Sequence, residues 1–258
     1  MRFIHLYWVG FTTFIIRSYE DIVRYFLVTL APPAVTTALY LVVFGVFIGQ
    51  HVGIVGGFTY KQFIAPGLIV MPIITGSYSH ATLSFLAAKL NKTLDEHLVS
   101  PQPSWMIVVS YVAAASVRGT LVGVLVAAVV LGSVHVQVQH PLLAAGAMLL
   151  TSLVSSIAGF ISGVFVDTID EASWFPSFVL TPLTYFGGVF YSLSFLPKWA
   201  QDLSLTNPIF YIVNLFRYCL LDVSDVNVGI AASIMVFVTL AMFTVAAMLM
   251  RCGIGIRE

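Results

Sequence analysis

Residues 63–88 read FIAPGLIVMPIITGSYSHATLSFLAA, a run that contains no Asp, Glu, Lys or Arg. A transmembrane helix needs about 20 consecutive, mostly apolar residues, so this run can cross a bilayer. Similar runs lie on both sides of it, at 27–49, 104–132, 142–166, 174–192 and 226–250. Because a helix satisfies its own backbone hydrogen bonds in lipid, the six runs predict an all-α integral membrane protein with six transmembrane helices.

The composition of the whole chain agrees with this prediction. Hydrophobic residues make up 59% of the sequence and charged residues 9%, whereas about a quarter of a typical soluble domain is charged. The formal net charge is zero, which gives no indication of a nucleic-acid partner. The membrane lipid is therefore the first partner that the sequence implies.

Basic residues near the ends of the runs predict the orientation, because they accumulate on the cytoplasmic side. If both termini are cytoplasmic, the basic residues on the outer side are fewer than those on the inner side. The outer set is Lys61, Lys198 and Arg217, and the inner set is Arg2, Arg17, Arg24, Lys89, Lys92, Arg251 and Arg257. We therefore expect both termini in the cytoplasm.

Two segments outside the six runs have a mixed character. Residues 3–24 carry aromatic side chains followed by mixed charges, which favours a helix lying in the inner interface over an unusually long first span. Residues 193–218 are too polar for a plain span and too apolar for a solvated loop, and Pro197 and Pro208 divide them. We expect short re-entrant helices there, which dip into the outer leaflet and return.

The predicted cytoplasmic segment KLNKTLDEHLVSPQPSW, residues 89–105, has the spacing of an amphipathic helix over 89–101. Leu90, Leu94 and Leu98 recur every four residues. Asp95 and Glu96 lie on the opposite face, and prolines follow. The spacing alone fits two interpretations equally: a loop helix on the lipid headgroups, or a docking helix for a cytosolic partner. The other cytoplasmic loop, VDTIDEASW, is acidic and is either a short turn or a second partner contact.

Arg118 lies near the middle of the predicted third span. A charged side chain there costs at least about 2.5–3.5 kcal/mol on insertion scales, so it should face protein or water. We favour an intramembrane polar anchor that bonds helix carbonyls or side chains such as Ser155 and Ser156. The alternative is a residue that lines a substrate path.

Glycines spaced four apart occur in three of the runs. Such pairs permit a close approach of neighbouring helices. The pairs are Gly45/Gly49, Gly119/Gly123 and Gly159/Gly163.

Motifs that would indicate an enzyme do not occur in the sequence. It has no GxxxxGK[ST] phosphate loop, no HExxH metal site and no GxSxG nucleophile turn. We therefore expect no catalytic, cofactor-binding or metal-binding residues in this chain, and no means of hydrolysing ATP.

Over nearly its whole length, the sequence resembles the permeases of the ABC-2 type transporter family, and especially their YadH-like bacterial inner-membrane branch. The most specific stretch is FVLTPLTYFGGVFYSLSFLPKWAQDLSLTNPIFYIVNLFRY, 178–218. The family pattern falls there on Pro182, Gly187, Gly188, Val189, Phe190, Leu196, Pro197, Trp199, Asn207, Pro208 and Arg217.

The resemblance implies a non-catalytic permease subunit of an exporter in the bacterial inner membrane. It implies a dimer of permeases and two copies of a cytosolic ABC ATPase, which would hold ATP and Mg. It also implies that residues 89–101 form the coupling helix, whose residues for coupling to the ATPase are Leu90, Leu94, Asp95, Glu96 and Leu98. The bulky residues Ser-Trp-Phe-Pro at 173–176 depart from the family pattern.

Two other function classes compete with this interpretation. A secondary transporter driven by an ion gradient would have internal repeats and membrane-buried acidic residues, and the sequence shows neither. An intramembrane enzyme would need the catalytic motifs that are missing. The dense aromatic residues of 185–199 suggest an amphipathic or lipid-like cargo, although an aromatic belt facing lipid explains them equally well.

Overall fold

A computed structural model describes residues 26–93 and 103–253, and these residues are almost entirely helical. The strands Ile54–Val55 and Phe58–Thr59 form a small antiparallel hairpin. The described protein is therefore nearly all-α. The predicted interfacial helix over 3–24 lies outside the described residues.

The first half of the chain forms long helices. These are α1 Phe26–Tyr40, which continues through a π-helical segment Leu41–Ile48 into α2 Gly49–Val52, then α3 Tyr60–Leu90, α4 Ser104–Val134 and α5 Pro141–Phe165.

Shorter elements follow, and one long helix ends the described chain. They are α6 Ile169–Phe175, a π-helical segment Pro176–Leu180, α7 Thr181–Phe186, a 3-10 turn Leu193–Phe195, α8 Lys198–Thr206, α9 Pro208–Leu221 and the long α10 Val228–Cys252.

Five helices of the described residues are long and apolar enough to cross a membrane: Thr29–Val52, α3, α4, α5 and α10. The run at 174–192, predicted as a span, has a different structure. A helix begins earlier, at Ile169, and ends at Phe186, and the chain turns at Gly187. Its first turn carries Asp170 and Glu171, so its apolar part is short. Prolines at 176 and 182 also remove two backbone donors from it.

Helix α3 lies at the centre of the bundle. In the 18-residue apolar stretch of α3, 72% of the residues are buried, compared with 11% in the corresponding stretches of Thr29–Val52 and α10. It packs against α4, α5 and α9. The core therefore forms around α3, and the first and last spans lie at its periphery.

The three glycine pairs identified in the sequence all pack against α3. A Cβ atom at Gly119 would collide with the hydroxyl of Ser77, and one at Gly159 with the carbonyl oxygen of Tyr78. A Cβ atom at Gly45 would lie 2.9 Å from Cγ of Lys61. Three different helices thus use their small residues to approach the same central helix.

Each end of α3 carries a lysine that caps a neighbouring helix. Lys61 Nζ donates to the carbonyl of Ser133, in the last turn of α4, at 2.9 Å. Lys89 Nζ donates to the carbonyl of Val164, in the last turn of α5, at 3.1 Å. A cation at a helix C-terminus interacts favourably with the helix dipole. We use these residues to name the two ends of the bundle, the Lys61 end and the Lys89 end.

Candidate functional site

The segment predicted to bind a partner begins with a turn at the Lys89 end. Helix α3 ends at Leu90, and Lys92 has a left-handed conformation with φ 58°. The amide of Lys92 donates to the carbonyl of Lys89 at 3.1 Å. The predicted continuous helix over 89–101 therefore does not begin at Lys89, because this turn separates Leu90 from Leu94.

The predicted coupling residues are only partly described. The side chain of Leu90 is exposed, as are Asn91 and Lys92 beside it. Leu94, Asp95, Glu96 and Leu98 lie outside the described residues, so their role stays a prediction.

The side chain of Lys89 joins this segment to the next loop at the same end. Its ammonium group donates to the carbonyls of Val164 at 3.1 Å and Val166 at 3.0 Å. It also forms a 2.7 Å ion pair with Oδ1 of Asp167. An ammonium group has three donors, and here each has an acceptor. This contact could not be predicted from the sequence, because Lys89 is only one of several basic residues on the predicted inner side.

The acidic loop after α5 is ordered by its own hydrogen bonds. The amide of Glu171 donates to Oγ1 of Thr168 at 3.2 Å, and the amide of Asp167 donates to Oε2 of Glu171 at 3.0 Å. This exchange satisfies amides at the start of α6, where no helical acceptor exists. Ile169 and Asp170 point outward from this turn and are exposed.

Arg118 connects three helices inside the bundle. Its Nη2 donates to Oγ1 of Thr29 on α1 at 3.1 Å, and its Nη1 lies 2.9 Å from Nδ1 of His80 on α3. These partners differ from the predicted Ser155 and Ser156. The hydroxyl of Ser156 bonds the carbonyl of Ser152 instead. The cost of a charge at this depth predicts that Arg118 faces protein or water, but it does not predict which helix the side chain contacts.

At the Lys61 end, Arg217 of α9 lies in a polar network that joins separate segments. Its side chain is 1% exposed, and its Nη1 donates to Asp225 at 3.0 Å. Its Nη2 donates to the carbonyl of Gly188 at 2.7 Å, and its guanidinium carbon lies 4.1 Å from the ring centre of Phe63. The hydroxyl of Ser192 donates to the second oxygen of Asp225 at 2.7 Å.

Four residues predicted for the re-entrant motif lie around this network. Gly188 has a φ of +76°, a backbone conformation that glycine adopts without strain. Gly187 packs so closely on Ile209 that a Cβ atom would lie 2.8 Å from its Cγ2. Asn207 donates to the carbonyl of Leu183 at 2.6 Å, and Pro208 begins α9.

The other two residues of that motif lie elsewhere. Pro197 immediately precedes α8, and Trp199 on α8 is 69% exposed. Both therefore belong to the surface of the Lys61 end. Asp225, which the sequence analysis did not single out, is the residue that completes the network.

A cavity of about 310 Å³ lies between α1, α3 and α7. Its walls carry hydroxyl groups and prolines, and none of the described residues that line it is charged. The hydroxyl residues are Thr36, Thr37, Tyr40, Thr75, Thr181, Thr184 and Tyr185. Thr184 donates to the carbonyl of Leu180 in its own helix, and Thr36 to that of Pro32, so their oxygens remain available as acceptors. The lining therefore offers neutral hydrogen-bond acceptors.

The described residues contain no candidate metal site. Within 26–93 and 103–253, no group of three or more His, Cys, Asp and Glu side chains could hold a metal ion.

Comparison with known proteins identifies the family. The pattern of the ABC-2 type transporter family matches residues 10–221. The inner membrane transport permease YadH of Escherichia coli K12 is 41% identical over 254 residues, which cover 98% of this chain and 99% of that protein. Nodulation protein J of Rhizobium leguminosarum bv. viciae is 24% identical over 83% of both chains. The probable multidrug ABC transporter permease YbhR of Escherichia coli K12 is 24% identical over 66% of this chain and 46% of its own length.

The matched range includes the Gly-Gly turn, the Asn-Pro start of α9 and Arg217, which are the residues on which the sequence resemblance depended. The resemblance is confirmed by the family match and by the full-length similarity to YadH. With its apolar spanning helices, the chain is a multi-pass inner-membrane protein. It belongs to the ABC-2 type transporter family, as a transport permease.

Proposed function

We propose that this chain is the membrane-spanning subunit of an ATP-driven exporter, and that its ATP is hydrolysed by a separate ABC ATPase. Family membership implies the ATPase partner. The observation that carries the proposal is the connection of residues 91–103 to α3 at one end and to α4 at the other. Force applied to this segment would act directly on the most buried helix of the bundle.

The proposal assigns the Lys89 end to the cytoplasm. Lys89, Lys92 and Arg251 lie there, as the positive-inside rule requires. Both termini then lie inside. The chain crosses the membrane six times if the helical segment from Ile169 to Phe186 is counted as a short additional span.

We further propose a dimer of permeases with two ATPase chains. The first and last spans expose apolar faces, including Phe47 and Phe237, which a second copy or lipid would cover. The cargo would be amphipathic or lipid-like, because Phe195 and Trp199 are exposed at the Lys61 end. The transport path would lie between the two copies.

An ion-driven secondary transporter is less well supported. Such proteins use membrane-buried acidic residues to bind or relay ions. None of the five apolar helices, Thr29–Val52, α3, α4, α5 and α10, contains Asp or Glu.

Recruitment of the ATPase tests the proposal. We expect Leu94→Asp combined with Glu96→Lys to insert normally, but to lose co-purification of the ATPase or to uncouple hydrolysis from transport. Each buried leucine would contribute about 1.5–3 kcal/mol to docking, and the variant replaces one with a charge. The permease without its partner should hydrolyse no ATP, because it lacks a phosphate loop.

The matched control makes the same two changes at the opposite end, as Ile54→Asp with Asp202→Lys. Both of these side chains are exposed in the structure, so the control should retain the ATPase. If the Leu94 variant binds and couples like wild type, residues 90–101 do not form the docking site.

A further inference from the structure

The backbone and the side chain of Lys89 bond to different segments of the chain. Its backbone carbonyl accepts the amide of Lys92 in the turn that begins the proposed docking segment. Its side chain bonds the end of α5 and the first acidic residue of the acidic loop, Asp167. A displacement of Lys89 therefore acts on both loops of the Lys89 end.

The ammonium group is well fixed in this position. The Lys89 side chain is 15% exposed, and its three donors are used by two carbonyls and one carboxylate. Hydrogen bonds from an ionised donor to an ionised acceptor are shorter and stronger than neutral ones. Asp167 is 73% exposed, so the two carbonyls, rather than the ion pair alone, define where the ammonium group lies.

The acidic loop leads directly to a wall of the hydroxyl-lined cavity. Thr168 caps α6, and the chain stays helical from Ile169 to Phe186. Thr181, Thr184 and Tyr185 of this helix line the cavity opposite α1 and α3. A movement of residues 166–168 would therefore be carried along the helix to the cavity.

We propose that Lys89 is a positioning residue which couples the two loops of the Lys89 end, so that a displacement of residues 90–93 by the ATPase also displaces the helix Ile169–Phe186 and the cavity wall. This inference rests on the proposed function for the source of the movement. The link itself is a property of this chain and can be measured without the ATPase.

Amide hydrogen exchange of the purified permease in nanodiscs tests the link. The probes are the amides of Glu171 and Ala172, which bond to Thr168. In Lys89→Met we expect them to exchange roughly 10- to 100-fold faster, because a hydrogen bond to a charged group is lost and the loop opens more often. Lys89→Arg should stay close to wild type, because a guanidinium can donate to the same acceptors.

Lys61→Met is the matched control. It removes a lysine cap from α4 at the opposite end of α3, and it should leave exchange at 167–175 unchanged. If Lys89→Met also leaves that exchange unchanged, the link does not exist and the proposal is overturned.

The second measurement uses the complex with its ATPase, with and without trapping by ADP and vanadate. In wild type, trapping should change exchange both at 89–93 and at 167–175. In Lys89→Met the change should persist at 89–93 and disappear at 167–175. A response at 167–175 that survives in Lys89→Met would overturn the transmission. If trapping changes no exchange at 89–93 in wild type, the docking model is wrong, and the proposed transmission from the ATPase is wrong with it. Failure of the Lys89 link itself is identified separately, by the exchange measured on the permease alone.

Discussion

At the scale of single residues, the ion pair between the buried Arg217 and the partly exposed Asp225 should contribute strongly to stability. Arg217 is 1% exposed and also holds the carbonyl of Gly188. Breaking a fully buried ion pair by removing one charge costs about 3–5 kcal/mol, because the other charge stays buried. That figure is the upper bound for the loss of Asp225, since only Arg217 is fully buried here. We therefore expect Asp225→Asn to lower the thermal unfolding temperature strongly in detergent.

Asp222→Asn provides the control for that experiment. Asp222 lies 3.3 Å from His140, but both side chains are substantially exposed, and such pairs contribute about 0–1 kcal/mol. Asp222 has a φ of 57°, which asparagine tolerates. Equal unfolding temperatures for the two variants would contradict the role given to the Arg217–Asp225 pair.

Folding should depend on both the charge and the length of the Arg118 side chain. We expect Arg118→Ala to reduce the yield of folded protein, measured by size-exclusion chromatography, more than Arg118→Lys does. The alanine variant loses bonds to both Thr29 and His80, each worth about 1.5–3 kcal/mol when a charged group donates. A lysine keeps the charge and can still reach one of the two. An alanine variant with wild-type yield would show that Arg118 is merely tolerated.

These residues also show where sequence reasoning ends. The cost of burying a charge predicts that Arg118 faces protein or water, and in the structure its guanidinium lies against two side chains. It does not predict Thr29 or His80, because partners depend on how neighbouring helices are rotated. Asp225 could not be distinguished from Asp222 by sequence, since both lie in one short polar linker. Only the fold brings one of them to Arg217.

At the scale of helices, glycines that look alike in the sequence should behave in opposite ways. Gly119 and Gly159 have no room for a Cβ atom against α3, whereas Gly132 and Gly146 have nothing within 4 Å. We expect Gly119→Ala and Gly159→Ala to destabilise the protein by about 1–3 kcal/mol through overpacking. Each pair includes one residue of α4 and one of α5.

The substitutions Gly132→Ala and Gly146→Ala should be neutral or stabilising by up to about 1 kcal/mol, because alanine is the better helix former. Thermal unfolding of the four variants in one detergent gives the comparison. If all four shift the unfolding temperature in the same direction, close approach to α3 is not what requires the first two glycines.

The positions of helices could be predicted from the sequence wherever a spanning helix requires a long apolar run. Helices α3, α4, α5 and α10 lie where the apolar runs predict them. The segment 174–192 was less predictable, because its apolar character continues past Phe186 although the helix does not. There the Gly187–Gly188 turn and the carbonyl bond to Arg217 decide where the helix ends. Such a contact is invisible in a hydropathy pattern.

At the scale of the whole molecule, the native cysteines allow a direct test of orientation. Cys252 is exposed at the Lys89 end, whereas Cys219 is buried. A membrane-impermeant maleimide should therefore label wild-type protein in inside-out vesicles and not in intact spheroplasts. Variants that combine Cys252→Ser with Ile54→Cys or Asp202→Cys should be labelled in intact spheroplasts and not in inside-out vesicles. Labelling of Cys252 from outside would invert the proposed topology.

The central position of α3 has a consequence for biosynthesis. It is the least apolar of the five apolar helices, whereas the peripheral α10 is the most apolar. Helix α3 therefore partitions into lipid least readily when it leaves the translocon, although the finished protein buries it most. We therefore expect it to remain beside the insertion machinery until α4 and α5, synthesised later, supply the surfaces that cover it. Substitutions that weaken those surfaces would then reduce the amount of protein made, before they affect the rate of transport.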